Sequence, residues 1–241
     1  DTLDLAATDL LPRLTALPAA GVLSERALTL LRIWNGRADT SLPQPLIFTA
    51  WMQQALRAVL ARRDIPPLAA APWPVLLPAL LTPAGARLCG GECGPLFVQA
   101  LAEALTPLAA RYGADPFDWR WGEAHPAVFA HPLLSRIPGL EGLATAEIAA
   151  PGDVNTVNQG GSWLGHFRSV HGASFRAVYD LADLDRSRFM LAPGQSGHIL
   201  SPVARNFLSR WRNGATISLG PDMPAAGHLR LLPPFEVKPP K

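Results

Sequence analysis

The feature that most constrains the fold is a change in the pattern of apolar residues near Pro151. Before this proline, Ala and Leu recur at three- and four-residue intervals, which is the periodicity of amphipathic α-helices. After it, Gly, Asn, Ser and β-branched residues take over, and the stretch HGASFRAVYDL alternates with the period of a β-strand. The sequence therefore predicts helices first and strands second, a pattern found both in two-domain chains and in α+β folds.

Four stretches of the first part have the helical pattern. Residues 2–34 predict two amphipathic helices separated by a Pro- and Gly-containing break. Further helices are predicted for LIFTAWMQQALRAVLARR and for GPLFVQALAEALTPLAARYG. The prolines of residues 66–83 predict a packed connector without a long helix, and residues 119–140 predict an ordered but irregular stretch.

The second part predicts short strands joined by turns. Residues 152–163 and 171–181 are predicted to be strands, and RFMLAP is predicted to form another. A compact loop is predicted for GQSGHILSP, a final amphipathic helix for residues 203–214, and an extended arm for PPFEVKPPK.

Composition excludes some classes of partner. The 241 residues are 49% hydrophobic and 17% charged, which is ample for a sizeable core. The net charge of +2 comes from charges of both signs scattered along the chain, so no basic face for nucleic acid is expected. No apolar run approaches the roughly 20 residues that span a bilayer, because prolines interrupt each one, and no membrane span is predicted.

The two cysteines, Cys89 and Cys93, lie four positions apart in LCGGEC. They lack the second pair of ligands that a zinc site requires, so no metal site is predicted. A local disulfide would indicate an oxidising compartment such as the periplasm. Two reduced thiols in a loop remain an equal alternative, because this spacing demands a particular backbone geometry.

Two histidines resemble a metal motif but lack its remaining ligands. His125 and His131 are six residues apart, each is followed by a proline, and no carboxylate lies at helical spacing to complete a ligand set. Both are expected to be structural.

The sequence contains a Ser, a His and an Asp close together, but their arrangement is not that of a catalytic triad. His171, Ser174 and Asp180 have the chemistry of a triad, but His171 and Ser174 are expected to face opposite sides of an extended strand. On the same strand, Arg176 and Asp180 share a face and are expected to form a partly buried pair. Polar side chains elsewhere are predicted to fix turns or strand edges, namely Asn155, Thr156, Asn158, Gln195, Ser196 and His198.

Four segments in a fixed order carry a resemblance to a known family. They are RYGADPFDWRWGEAHPAVFAHPLL, PGDVNTVN, HGASFRAVYDL, and LAPGQSGHILSP followed by a W-x-x-G that ends at Gly214. In order and spacing they resemble the C-terminal part of the β subunit of the penicillin acylase family. These are N-terminal-nucleophile amidohydrolases, and they include penicillin, cephalosporin and acyl-homoserine-lactone acylases. The sequence departs from the family pattern at SPVARNF, where a His, an aromatic and an acidic residue are usual.

The resemblance implies an α+β fold in two parts. Residues 1–148 would form a helical lobe, and residues 149–241 would supply the C-terminal strands and closing helix of an αββα N-terminal-nucleophile sandwich. Because the chain begins at Asp1 without a Met or a signal-like sequence, it is expected to be a fragment or a processed product.

The resemblance also implies hydrolysis of a linear amide, such as a β-lactam side chain or an acyl-homoserine lactone. In that family the nucleophile is a Ser, Cys or Thr at a newly cut N-terminus, a role that Asp1 cannot fill. No catalytic residue is therefore expected in this chain, which should be inactive alone. The nucleophile, the oxyanion-stabilising groups and any calcium ligands would lie upstream, and no cofactor is expected within the chain itself.

The expected partners are the α subunit, the N-terminal part of the β subunit and the small amide substrate, in the periplasm or outside the cell. Asp180 matches a carboxylate that in the cephalosporin branch lies behind the site, with support expected from Arg176, Asn155 and Asn158. The alternative from a different class is a non-catalytic helical binding or scaffold module.

Overall fold

The computed structural model of the chain describes residues 1–62, 73–162 and 165–220. The helices of the described residues are α1 (Leu5–Leu14), α2 (Val22–Arg32), α3 (Gln44–Ala61), α4 (Trp73–Leu80), α5 (Pro83–Ala86), α6 (Gly94–Tyr112), α7 (Trp121–Ala124), α8 (Glu141–Ala144) and α9 (Leu208–Arg212). The strands are β1 (Pro126–Ala130), β2 (Thr145–Ala149), β3 (Gly160–Gly161), β4 (His171–Gly172), β5 (Phe175–Val178), β6 (Arg188–Leu191) and β7 (Ile217–Ser218).

The first two helices confirm the break predicted within residues 2–34. Asp4 caps α1, because its side chain accepts a hydrogen bond of 2.9 Å from the backbone N–H of Ala7. Leu10 and Leu14, one turn apart, are fully buried on the inner face of α1. α2 begins directly after Gly21 and also buries one face, so each helix contributes a single apolar stripe to a shared core.

The centre of this core is α3, which packs along α6 and also against α2. Trp51 of α3 is fully buried and donates a 2.7 Å hydrogen bond from Nε1 to the carbonyl of Phe97 in α6. Burying an indole of about 200 Å² contributes roughly 5 kcal/mol, whereas the net contribution of one hydrogen bond is about 1 kcal/mol. Packing therefore holds α3 and α6 together, and the hydrogen bond orients the ring.

The predicted connector at residues 66–83 contains short helices where it is described. α4 is eight residues long and includes Pro78, and α5 begins at Pro83. Thr82 caps α5 by accepting a hydrogen bond of 3.2 Å from Gly85. The rest of the connector lies outside the described residues.

A hairpin corrects the expectation for residues 119–140. β1 and β2 pair antiparallel, from Pro126 opposite Ala149 to Ala130 opposite Thr145. Pro126 occupies the first position of its strand, where a missing N–H is tolerated. Pro126 at the start of β1 and Pro132 after its end predict an irregular stretch. The strand forms because β1 pairs with β2, and the sequence around β1 does not reveal that partner.

The remaining strands form two further sheets. β5, β6 and β7 form an antiparallel sheet in that order, with Phe175 opposite Leu191 and Phe189 opposite Ile217. β3 and β4 form a pair of two-residue strands. A second, smaller core joins β1, β6 and α9 through the buried residues Ala127, Ala150, Met190, Phe207 and Trp211. Helices and small antiparallel sheets together make the fold α+β, as predicted.

Two predicted elements are much shorter than expected. Of residues 152–162, which the structure describes, only Gly160–Gly161 is a strand, because the segment before it forms a turn through its own side chains; residue 163 lies outside the described residues. Of residues 203–214, only Leu208–Arg212 is helical, because Val203 and Phe207 hydrogen-bond through their backbones to the loop at residues 193–195. The predicted terminal arm lies outside the described residues.

In the described part of the chain, no single helix has both the length and the apolar character needed to cross a bilayer. The segments Pro83–Cys89 and Gly94–Tyr112, bent by 59°, meet those two criteria only when taken as a pair.

Candidate functional site

The loop at residues 151–158 is folded by its own polar side chains. Asp153 Oδ1 accepts a 2.8 Å hydrogen bond from the N–H of Asn155, and Thr156 Oγ accepts one of 2.9 Å from the N–H of Asp153. Gly152 has a φ of 92°, and a Cβ built there would lie 1.9 Å from the carbonyl oxygen of Asn158. Only glycine fits this position, so the loop closes tightly on itself.

This loop links distant parts of the molecule. Gly152 donates from its N–H to the carbonyl of Ala38 at 2.7 Å, and its own carbonyl accepts a 2.9 Å bond from Nε1 of Trp121. Asn158 donates from its N–H to the carbonyl of Asp1 at 2.9 Å. The loop is thus bonded to the chain start, to the segment after α2 and to α7.

Arg176 of β5 contacts the far end of the same loop. Its Nη2 donates to Oδ1 of Asn158, and its Nη1 donates to the carbonyl of Trp211 at 2.6 Å. The guanidinium also lies over the Trp211 ring, 4.8 Å from its centroid. Burial lowers the pKa of the Arg176 guanidinium from its ordinary value, yet the group keeps its charge because that value is so high.

Asp180 does not join this arrangement, so the expected pair with Arg176 is wrong. β5 ends at Val178, and the chain then turns, with Asp180 Oδ1 accepting from the N–H groups of Ala182 and Asp183. Among the described residues, the cation nearest to Asp180 is Arg186, whose Nε lies 3.7 Å from Oδ2. Because the strand stops two residues before Asp180, the alternation that predicted a shared face no longer applies there.

Asn155 contacts a carboxyl pair that the sequence did not predict. Its Nδ2 donates to Oδ2 of Asp4 at 3.0 Å and its backbone N–H donates to Oδ1 of Asp153 at 2.8 Å, so one residue contacts both carboxyl groups. Burial raises the pKa of the Asp153 carboxyl well above its ordinary value, and the negative charge of Asp4 raises it further. Each aspartate fits a local pattern, a helix cap and a turn, but nothing in the sequence shows that Asn155 contacts both.

Three of the four residues proposed to support a site therefore lie in, or contact, the loop at residues 151–158. Asn155 and Asn158 lie in the loop, and Arg176 donates a hydrogen bond to Asn158, whereas Asp180 lies beyond the end of β5. The W-x-x-G motif singled out Trp211, but the sequence did not predict that the Arg176 guanidinium lies over the Trp211 ring.

A cleft of about 250 Å³ lies between β1 and residues 169–174, and Trp211 forms part of its wall. Ser169, His171 and Ser174 also line it, so His171 and Ser174 share one cleft, contrary to the expectation that they face opposite sides. The reason is a turn between β4 and β5, in which the N–H of Ser174 donates to the carbonyl of Gly172. Asp180 is not among the lining residues, so the cleft contains no triad.

The histidines have different environments. His125 is 1% exposed, stacks on Trp121 with ring centroids 4.2 Å apart, and bonds through Nδ1 to the carbonyl of Phe167 at 2.5 Å. Burial lowers the pKa of His125 to about 4, so the ring is neutral near pH 7 and Nδ1 donates. Its Nε2 is buried and has no hydrogen-bond partner among the described residues. His131 Nδ1 accepts from the N–H groups of Leu133 and Leu134, a structural role.

Cys89 and Cys93 are joined by a disulfide, with their Cα atoms 5.2 Å apart. Of the two alternatives that the sequence left open, the structure contains the bridge. Across residues 1–62, 73–162 and 165–220, no group of three or more His, Cys, Asp or Glu side chains could hold a metal ion.

The chain is similar to known proteins over most of its length. A family model described as penicillin amidase matches residues 1–222. The penicillin acylase 2 proenzyme of Pseudomonas sp. (strain SE83) is 27% identical over 230 residues, which are 91% of this chain and 30% of that protein. The fold is similar to that of a thermostable penicillin G acylase from Alcaligenes faecalis, with a TM-score of 0.54 and 17% identity over 96% of this chain and 47% of that one. The chain thus spans less than half the length of either relative.

Proposed function

Because the chain belongs to the penicillin amidase family, we propose that it is the C-terminal portion of an acylase that hydrolyses a linear amide. The match of the family model to residues 1–222 carries this proposal. The relative from Pseudomonas is a proenzyme, which further supports a precursor whose processed segments complete the active site.

In the proposed reaction, a Ser, Cys or Thr at a new N-terminus attacks the amide carbonyl and its α-amine accepts the proton. The α-amine passes that proton to the nitrogen of the substrate amide, and the substrate's amine product leaves. Water then hydrolyses the acyl-enzyme and releases the acid. All of these groups belong to other segments, so this chain contributes no reacting atom. Its part is structural. The contact of Arg176 with Asn158 joins β5 to the loop at residues 151–158, and the hydrogen bond from Asn155 to Asp4 joins that loop to the start of α1.

The surface around β5 supports assembly with those other segments. β5 is an edge strand, and side chains on it and after it are largely exposed although apolar, with Phe175 at 57%, Val178 at 68% and Leu181 at 88%. Clustered apolar groups beside a free strand edge are typical of a surface that another strand covers. We propose that segments of the same precursor cover it and so complete an αββα sandwich.

The compartment and the substrate belong to the same proposal. A disulfide at Cys89 and Cys93 favours an oxidising compartment, either the periplasm or the exterior. The substrate class is an acyl amide such as a β-lactam side chain or an acyl-homoserine lactone. Calcium in the complete enzyme would be held by ligands outside this chain.

The test compares the intact precursor with the 241-residue chain. We expect the processed protein to hydrolyse a chromogenic acyl anilide and to show a Ser, Cys or Thr at an internal processed N-terminus by mass spectrometry. The 241-residue chain alone should show no turnover. An intact protein that carries no such N-terminus and no activity would instead favour a non-catalytic binding or scaffold module.

A further inference from the structure

Another cleft lies between the hairpin of β1 and β2 and the loop at residues 193–205. Its volume is about 350 Å³, which is within the usual range for sites that hold small organic molecules. Its apolar wall is formed by Phe129, Ala144, Ala146, Pro193, Ile199 and Ala204. The cleft therefore has the size and the apolar surface that suit an aromatic ring or a short acyl chain.

The polar side chains of this cleft include hydrogen-bond donors but no carboxylate. The donors are Arg205, His131, Gln195 and Ser196, and no Asp or Glu lies among the described residues that line the cleft. Within the described part of the chain, Arg205 forms no ion pair. The cleft therefore carries a positive charge that no neighbouring carboxylate compensates.

The guanidinium of Arg205 is held in place at the edge of the cleft. Its Nη2 donates to the carbonyl of Leu143 at 2.5 Å and to the carbonyl of Thr145 at 3.3 Å, directly before and at the start of β2. Its Nε and Nη1 form no hydrogen bond with other described residues. A guanidinium that is already oriented and still has free donors binds a carboxylate at a lower entropy cost than a mobile side chain does.

Two neighbours of Arg205 also have a proton to donate. His131 Nδ1 accepts hydrogen bonds from the N–H groups of Leu133 and Leu134, so the neutral ring carries its proton on Nε2. Ser196 Oγ accepts from the N–H of His198 at 3.1 Å, which leaves the hydroxyl proton free to donate. The donor set thus matches a ligand group that only accepts hydrogen bonds and is negatively charged.

We propose that this cleft binds an apolar monocarboxylic acid, such as an arylacetic acid. The carboxylate accepts hydrogen bonds from Arg205, with His131 and Ser196 as further donors, and the ring packs against Phe129 and Ile199. Charge complementarity favours an acid over a neutral molecule, and the cleft volume favours a small ligand over a folded partner.

An acylase of the kind proposed above releases a carboxylic acid of this class when it cleaves its amide. That the natural ligand is the reaction product rests on the proposed function, whereas the binding of such an acid to the cleft does not. The site would then respond to accumulated product from a position outside the segments that carry the nucleophile.

Photocrosslinking tests the site in the intact protein. The probe is phenylacetic acid with a photoreactive diazirine on its ring, and mass spectrometry locates the labelled peptides. We expect label in peptides that cover residues 126–134 and 193–205, and an excess of phenylacetate should suppress it. A matched probe with a hydroxyl in place of the carboxylate should label them at least about tenfold less, because it loses the charge-assisted hydrogen bonds.

Arg205→Gln removes the positive charge and should also reduce the labelling at least about tenfold. The matched control is Arg210→Gln, because Arg210 is an exposed cation of α9 that does not line the cleft, and labelling should stay unchanged. Since Arg205 also bonds to Leu143 and Thr145, a second variant leaves it in place. Ile199→Trp fills the cleft and should reduce labelling to the same extent.

Equal labelling of the cleft peptides in the unaltered protein, Arg205→Gln and Ile199→Trp would overturn the proposal. An intact protein in which these peptides stay unlabelled would also overturn it, and so would label confined to the segment with the processed N-terminus. Labelling of the cleft does not require amide hydrolysis. Failure of the acid site and failure of the proposed acylase function are therefore distinguishable.

Discussion

Arg176 joins β5 to the loop at residues 151–158 and to α9. Its guanidinium bonds to Asn158 and to the Trp211 carbonyl, and it lies over the Trp211 ring. A lysine keeps the charge but cannot form the two-pronged contact. The identity of this residue, and not merely its charge, therefore matters.

We expect Arg176→Lys to destabilise the protein by about 1 to 3 kcal/mol, because Asn158 and the Trp211 carbonyl lose their donor. Denaturant unfolding measures this change. The control is Arg186→Ala, since Arg186 is 74% exposed and its contact with Asp180 is a surface pair worth less than about 1 kcal/mol. Equal effects of the two substitutions would contradict the role given to Arg176.

His125 should make stability depend on pH below neutrality. Its folded pKa of about 4 lies below the ordinary value of 6.5, so its stabilising effect is present above pH 6.5 and is lost as pH falls toward 4. The free energy of unfolding should decrease by about 1.4 kcal/mol per pH unit across that window. His125→Gln should remove this slope in thermal unfolding measured at several pH values, and His198→Gln, which changes an exposed histidine, is the control. A slope that survives in His125→Gln would refute the assignment.

At the scale of elements, the loop at residues 151–158 shows why strand prediction failed there. Asp153 and Thr156 bond to the loop's own backbone, so those N–H groups are unavailable to a neighbouring strand. From the sequence, the polar composition predicts a strand edge. Its actual role is to form a turn that bonds to Asp1, Ala38 and Trp121.

Gly152→Ala tests this turn. The new Cβ would lie 1.9 Å from the Asn158 carbonyl oxygen at a φ of 92°, so we expect a loss of about 2 kcal/mol or more of stability. Gly197→Ala is the matched control, since nothing lies within 4 Å of a Cβ there. Circular dichroism thermal melts compare the two variants, and equal melting temperatures would show that the loop relaxes freely.

For the whole molecule, the two cores have different sizes. The helical core extends from α1 to α7, whereas the strand-rich core has five buried residues. The strands after Pro151 therefore leave much of their apolar surface uncovered, including Phe175, Val178 and Tyr179. A domain division at residue 148 stays a prediction, and the hairpin of β1 and β2 crosses that position.

We expect the 241-residue chain alone to aggregate through the β5 surface. Val178→Lys places a charge on this edge strand and should increase the monomeric fraction in size-exclusion chromatography. The same substitution in the intact precursor should reduce assembly, because the surface would then be covered by other segments. Val22→Lys, at a position 79% exposed on α2, is the control and should change neither property. A monomeric 241-residue chain that unfolds cooperatively would contradict the prediction.

The sequence by itself determined the long helices α1, α2, α3 and α6, the β6 strand, the α+β class and the family, because each rests on local periodicity or on motifs in a fixed order. It also singled out Asn155, Asn158 and Arg176. Only the tertiary structure decided that Asn158 and Arg176 meet at one end of the loop, that Asp180 lies apart, and that Asn155 contacts both Asp4 and Asp153. The physical reason is distance along the chain: periodicity reports which face a residue occupies, whereas a buried contact depends on which remote segment is packed against that face.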